Sequence, residues 1–439
     1  MKASWRAILI QPAAAPRWVT SRVPSSSKEQ PHHRAYIGCV RGVSILLCLA
    51  AASSIKAAPT FYKDVLPILQ QRCQECHRAG EIGPMPLATY RDARPWAKAI
   101  REAVLRGRMP PWFADPCCGK FANDRTLTRA EIDTLAEWAG AGAMSGDVKD
   151  APPPRVWPAQ GNLASPDAVL AMPRAFAVPA KGAVEYQRFV IHTGFDGDRW
   201  VQAVEVRPGV RAVVHHVVVY IREPGETWVE GATKSDMLTV YAPGSAPEVW
   251  PEGMAKLIPK GADLVIELHY TPNGKAVTDQ TRVAVKFAAS APGKRVLTLQ
   301  MQPARLVIPP GEANAHFTVS GTLPNDALLL GFFPHMHLRG TVFEYDRILS
   351  GGRPDPMLRV SHYDFHWQMD YRLAQPIALP QGTRLSWTAW YDNSANNPGN
   401  PDPAAEVHWG EQSWEEMMVG FFYVAVDPAI DRQSFFVRE

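Results

Sequence analysis

Past Thr60 the apolar positions first recur every three or four residues and later every two. Phe61, Val65 and Leu69 sit at helical spacing with Thr60 available as a cap, and Pro67 is expected to kink or shorten this helix. Roughly Ala93 to Arg106 predicts a second helix, with Trp96, Ile100, Val104 and Leu105 on one side. A third starts at Thr128, where Thr128-Arg-Ala-Glu131 is a capping box and Ile132, Leu135 and Trp138 form the apolar face. Gly140 and Gly142 end it. These patterns predict a small all-α domain over residues 59–146.

Residues 147–160 carry Pro152, Pro153, Pro154 and Pro158, the composition of a stiff extended linker. Beyond it the period becomes strand-like. Phe189–Ile191, Ala212–Ile221, Asp263–His269, Leu328–Phe333, Arg384–Trp390 and Met418–Val426 are β-rich runs, separated by turns such as Pro272-Asn-Gly274 and Asn397-Pro-Gly399. The stretch is too long for one sandwich. Two all-β, antiparallel, jelly-roll-like sandwich domains are expected, over 161–293 and 294–439, with the boundary at Pro292-Gly293-Lys294.

Composition narrows the setting. Hydrophobic residues at 46% and charged ones at 20% are those of a globular chain, and a net charge of +3 without a basic block gives no case for a nucleic-acid partner. Arg41 precedes an apolar run from Val43 to Ala52, followed by small residues to Ala58. That pattern marks residues 1–58 as a leader with a secretory signal, too short in its apolar core for a stable membrane span. A periplasmic or secreted protein follows.

Six cysteines are present; Cys39 and Cys48 lie in the leader and none follows Cys118, so the β region must fold without disulfides. Cys73-Gln-Glu-Cys76-His77 puts two thiols three residues apart with an imidazole next to the second, the spacing of a covalently bound c-type haem. A thioredoxin-like pair lacks its βαβ surroundings, and a zinc site lacks a second ligand pair. Met109, in Arg108-Met-Pro-Pro-Trp112, is the favoured sixth ligand, and Met85 in Gly83-Pro-Met-Pro86 is its competitor. Cys117-Cys118 is open to a disulfide, free thiols or metal, with a structural loop as the default. The segment is similar to small cytochrome c domains whose distal ligand lies in a Met-Pro-Pro-Trp loop.

Ten histidines lie in the β region. On a strand, His335-Met-His337 turns both imidazoles to one side. His215-His216 interrupts an apolar strand, so binding of one ion by both needs a bulge or a strand end. His269 closes the run Leu264-Val-Ile-Glu-Leu-His269. His362 and His366 share a strand face without an assigned role; His192, His316 and His408 read as satisfied polar or surface groups.

Val213-Val-His-His-Val-Val-Val-Tyr220, Leu268-His-Tyr270, His335-Met-His337 and Glu416-Met417 together resemble the copper type II, ascorbate-dependent monooxygenases. The resemblance covers roughly residues 161–439 and implies two copper ions. His215, His216 and His269 would hold an electron-transfer copper; His335, His337 and Met417 would hold the catalytic, oxygen-binding one. A thioether favours Cu(I), the state that must meet O2. The polar groups with which animal relatives bind a peptide carboxylate are replaced here by Phe333, Val419 and Phe421, so a substrate with little charge near its reacting carbon is expected. The resemblance implies a small-molecule substrate and O2, and the relatives draw their electrons from ascorbate. The fused haem, a departure from them, is expected to relay electrons from an external donor, a small reductant or redox protein, to the His215/His216/His269 copper. The rival reading is a non-enzymatic haem and copper electron carrier on the same scaffold.

Overall fold

The computed structural model describes residues 57–158, 161–226, 236–432, 435 and 437–438; the expected leader lies outside them up to residue 56. The first apolar stripe folds as a π turn, Phe61–Val65, running into an α-helix, Leu66–Arg72, with Pro67 in its first turn, where its missing N–H costs nothing. Asp64 accepts the Thr60 N–H at 2.7 Å, so the cap works in reverse of the expected sense. The second stripe is broken into Tyr90–Ala93, a 3-10 turn at Arg94–Trp96, and Ala97–Leu105. Ile100 and Val104 are buried, but Trp96 and Leu105 are exposed, contrary to the expected apolar side. The capping box forms: Thr128 accepts the Glu131 N–H, Glu131 accepts the Thr128 N–H, and the helix runs Arg129–Gly140. Phe61, Leu69, Ile100, Leu135 and Trp138 close one core.

All six β-rich runs contain strands, although Ala212 and Val213 fall in a 3-10 turn, Arg211–Val213, ahead of the strand Val214–Arg222. They build three main sheets rather than two self-contained sandwiches. A four-stranded sheet orders Gln187–His192, Asp263–Tyr270, Val214–Arg222 and Asp236–Tyr241. A five-stranded sheet contains Pro354–Val360, Gly340–Ile348, Arg384–Tyr391 and Ala315–Thr322. Between them lies one nine-stranded sheet that serves both halves of the chain.

Its halves join where Met254–Ile258 pairs with Lys294–Met301, through Lys294↔Met254 and Arg295↔Ala255. That pairing is parallel, which corrects the expectation of purely antiparallel sheets. A long return from Ile258 to Lys294 makes it feasible, since parallel neighbours need a crossover. The anticipated boundary at 293–294 therefore falls at the seam of a continuous sheet. Val204, Val283, Val219 and Ile266 fill the first sandwich; Leu329, Phe343, Trp387 and Phe422 fill the second. A further apolar layer packs Tyr220, Met237 and Val265 of the four-stranded sheet against Phe333, Val419, Phe421 and Tyr423 of the nine-stranded one.

The α-helical segment is not a tethered bead. Trp112 is part of the second sandwich's core, packed on Phe121 and Tyr371 at ring distances of 5.9 and 5.0 Å. Ala114 bridges to Val360, Phe121 bridges to Leu373, and the Ala122 N–H donates to the Arg372 carbonyl at 2.8 Å. Cys117 and Cys118 form a vicinal disulfide within this arm. The proline-rich stretch is extended as expected but pinned. Trp157 lies between the guanidinium groups of Arg78 and Arg155, at 3.7 and 4.0 Å, and Gln70 donates to the Pro153 carbonyl. Among the described residues no helix is long and apolar enough to cross a membrane.

Candidate metal and haem sites

His215 and His216 are adjacent on a strand, where neighbours ordinarily face opposite ways. The ladder between Val214–Arg222 and Asp263–Tyr270 slips between Val214 and His216, and this irregularity turns His215 toward His216 and its cross-strand partner His269. Each pair of the three rings is 5.1 to 5.3 Å apart, and one nitrogen from each lies within 4.8 Å of the others. The His215 Nε2–H donates to the His366 carbonyl at 3.1 Å, which leaves Nδ1 as a lone pair, 3.1 Å from Nδ1 of His216. Nδ1 of His269 is buried with no hydrogen-bond partner, as a ligand awaiting an ion would be. Tyr186 stacks on His269 at 4.9 Å.

His335 ends the strand Ala327–His335 and His337 follows two residues on, their rings 5.2 Å apart and perpendicular. Nδ1–H of His335 donates to Gln368 Oε1 at 2.7 Å, and that of His337 to the Glu415 carbonyl at 3.3 Å. Both Nε2 atoms are thereby left as acceptors. Met417 lies beside the start of the neighbouring strand, where Val419 pairs with His335. Fully buried Glu416 sets the spacing: it accepts the N–H groups of His337 at 2.8 Å, Arg339 at 2.7 Å and Met417 at 3.2 Å. Burial pushes this carboxyl up to about 8, with the three donors and Arg339 pulling the other way.

The two clusters meet at one cleft through His216. His216, His335, His337 and Met417 line it together with Phe333, Phe421, Tyr186 and Tyr220, around a cavity of 40 Å³. Arg188 stands on the cleft wall between Glu267 at 2.6 Å and Glu411 at 2.8 Å. Burial lowers the imidazoles: His215 and His269 to about 4, His337 to about 3, and His216 well below its ordinary value. They are therefore free bases at neutral pH, the form a metal binds.

Cys73, Cys76 and His77 follow the Leu66–Arg72 helix and line a cavity of 700 Å³. Burial pushes the two thiols up to about 12 and about 11, unlike the depressed thiolates of redox-active pairs. The His77 Nδ1–H donates to the Met85 carbonyl at 3.1 Å and frees Nε2. Gly83 makes that loop possible, since a Cβ there would meet His77 Nδ1 at 2.8 Å. Met109 also lines the cavity, with apolar Leu69, Leu87, Ile100 and Val104 and with Arg72, Arg108, Arg125, Arg155 and Arg372. Two adjacent thiols, an oriented imidazole, apolar walls and five guanidinium groups fit a flat apolar macrocycle that carries carboxylates.

Residues 295–432 match the family model described as copper type II ascorbate-dependent monooxygenase, C-terminal domain. The match marks the chain as a copper monooxygenase, an oxidoreductase. The monooxygenase domain so defined contains His335, His337, Glu416 and Met417. No curated protein matches the chain. Among solved structures it is similar to the major capsid protein P2 of bacteriophage PM2, at 11% identity, 61% of this chain, 99% of that one and a TM-score of 0.29. It is similar also to an infectious bursal disease virus Gx strain structure, at 8% identity, 61% and 74% coverage and a TM-score of 0.17. Overlaps at that level carry no information on activity.

Among the remaining histidines, His192 pairs with Asp263 at 2.8 Å, His316 stacks on Trp390 and His408 pairs with Glu406. Sequence reasoning missed Gln368, Tyr186 and the His366 carbonyl. Gln368 and Tyr186 carry no motif, and a backbone carbonyl is blind to residue type.

Proposed function

We propose that the protein is an exported copper monooxygenase that hydroxylates a C–H bond of a small molecule, with electrons entering through a c-type haem in its own N-terminal segment. The reading rests on one observation above all: His216 of the three-histidine cluster lines the same cleft as His335, His337 and Met417. His215, His216 and His269 hold the electron-transfer copper, all-imidazole and indifferent to oxidation state. His335, His337 and Met417 hold the second, where the thioether favours Cu(I). Cys73 and Cys76 would carry the haem, His77 would ligate its iron, and Met109, on the wall of the same cavity, would supply the thioether, with Met85 as its competitor there. These groups supply the one-electron steps by which R–H, O2, two electrons and two protons become R–OH and water.

The chain's own residues do the rest. Phe333, Phe421 and Tyr220 keep bulk water from the cleft, and Gln368, Glu415 and Glu416 hold the imidazoles and Met417 in register. Phe333, Val419 and Phe421 are apolar, and Arg188 on the cleft wall is held by Glu267 and Glu411, which favours an uncharged reacting end. The test is a metal count with a labelled-oxygen assay. Two coppers and one iron per chain, and one atom of isotopic O2 in a hydroxylated product, are expected. A copper-free purified holoprotein, or product without label, overturns the reading.

A further inference from the structure

Between the strands Pro354–Val360 and Tyr371–Leu379 the chain makes a loop, and four consecutive residues in it touch all three sites. Trp367 is on the wall of the cavity that Cys73, Cys76 and His77 line. The carbonyl of His366 accepts the hydrogen bond of His215. Phe365 is buried with its ring 6.2 Å from His215, 6.4 Å from His269 and 6.0 Å from His337. Gln368 accepts from His335. The loop is held firmly. Tyr363 donates from its hydroxyl to the Met336 carbonyl at 2.8 Å and accepts the Met336 N–H at 3.0 Å, and Asn123 donates to the Asp370 carbonyl at 2.7 Å.

The geometry points to Trp367 and the His366 carbonyl as the route by which an electron passes from the haem to the three-histidine copper. This rests on the haem-fed reading above. Electron tunnelling decays slowly along covalent bonds, somewhat faster across a hydrogen bond and fastest through space. From the Trp367 indole the path is covalent to the next carbonyl and then crosses a single hydrogen bond of 3.1 Å to His215. The bond lands on Nε2, and the opposite ring nitrogen faces the cluster, so the imidazole itself completes the connection.

The competing entry is Gly244, so close to Cys76 that a Cβ there would lie 2.7 Å from its sulfur. From Gly244 the way to His216 runs back through Ala242 and Tyr241, then across the ladder to Val217. It is longer and has no side chain in the cavity. In the proposed step one electron leaves ferrous haem, which becomes ferric, and converts Cu(II) at the three-histidine site to Cu(I). No bond forms or breaks and no proton moves; the external donor reduces the haem again.

The experiment uses the full chain loaded with haem and copper, without O2. The haem is reduced by a light pulse, its reoxidation is followed optically, and the Cu(II) signal is followed by freeze-quench EPR. Trp367→Leu is expected to slow internal transfer about tenfold or more. Trp367→Phe, which keeps a ring in the wall, is expected to fall between the two. Direct reduction of copper by added ascorbate should be equal in all of them, which separates a lost route from a damaged copper site. Unmodified rates in both Trp367 variants overturn the route and leave the haem-fed reading standing. Ferrous haem that persists in front of Cu(II) in the unmodified protein overturns the haem-fed reading, and the route with it.

Discussion

Replacing Glu416 by Gln removes one oxygen from a fully buried carboxyl that organises both kinds of ligand at the His335/His337/Met417 site. One oxygen accepts from Arg339, and the other accepts from His337 and Met417. The amide has a single acceptor, so its better orientation keeps the His337 and Met417 bonds. Its NH2 then faces the Arg339 N–H, donor against donor. Stranding that buried N–H costs about 1–3 kcal/mol. The opposite orientation strands two donors and is avoided. Loosening of the backbone that carries His337 and Met417 should also weaken copper at this site, by about 10- to 100-fold for loss of a supporting partner. Denaturant unfolding of the metal-free protein measures the first effect, and Cu(I) titration with EPR of the three-histidine site measures the second. A stability change under about 0.5 kcal/mol, or equal weakening at both sites, would refute the assignment of Glu416 as the brace of one site only.

Met109→Ala should abolish the sulfur-to-iron charge-transfer band of the oxidised haem, and an unchanged spectrum transfers that role to Met85. Trp112→Ala should cost about 3–5 kcal/mol in denaturant unfolding, because the ring fills the second sandwich's core beside Tyr371; a loss below about 1 kcal/mol would show that the arm is not part of that core. Burial, with Glu344 and Asp355 nearby, holds Asp346 up at about 6 against an ordinary 3.8. Between those values the folded state keeps a proton that the unfolded state releases, so this group's contribution to stability falls as pH rises through the window. Asp346→Asn should remove that slope and be the more stable form at pH 7; parallel stability-versus-pH curves for the two proteins would count against it.

Much of the β region was legible because its strands are long and strongly alternating. The demand for a bulge at His215-His216 followed from strand geometry alone, and the slipped register supplies it. The capping box at Thr128 is local chemistry and forms as read. The misreadings have a common origin in contacts between distant segments. Trp96 and Leu105 fit a helical stripe, but the stripe breaks at the Arg94–Trp96 turn and leaves both exposed. The Met-Pro-Pro-Trp loop read as a unit, yet Met109 faces the cavity of the α segment while Trp112 enters the neighbouring core. The parallel seam spans two residue pairs, too few to leave a period in the sequence. Phe365–Gln368 does its work partly through a main-chain carbonyl, which no alphabet of side chains records.

The seam also bears on how this molecule can be taken apart. With Met254–Ile258 joined to Lys294–Met301, a chain cut at 293 would free an unpaired edge on each fragment, rich in apolar residues. Such edges recruit other chains. The fragment 161–293 would also lose the apolar cover that Phe333, Phe421 and Tyr423 give its four-stranded sheet. Separating the halves would therefore uncover both a sheet edge and an apolar face. Replacement of the N-terminal segment by another electron-delivering domain would have to keep Trp112 and Phe121, whose places are in its neighbour's sheets.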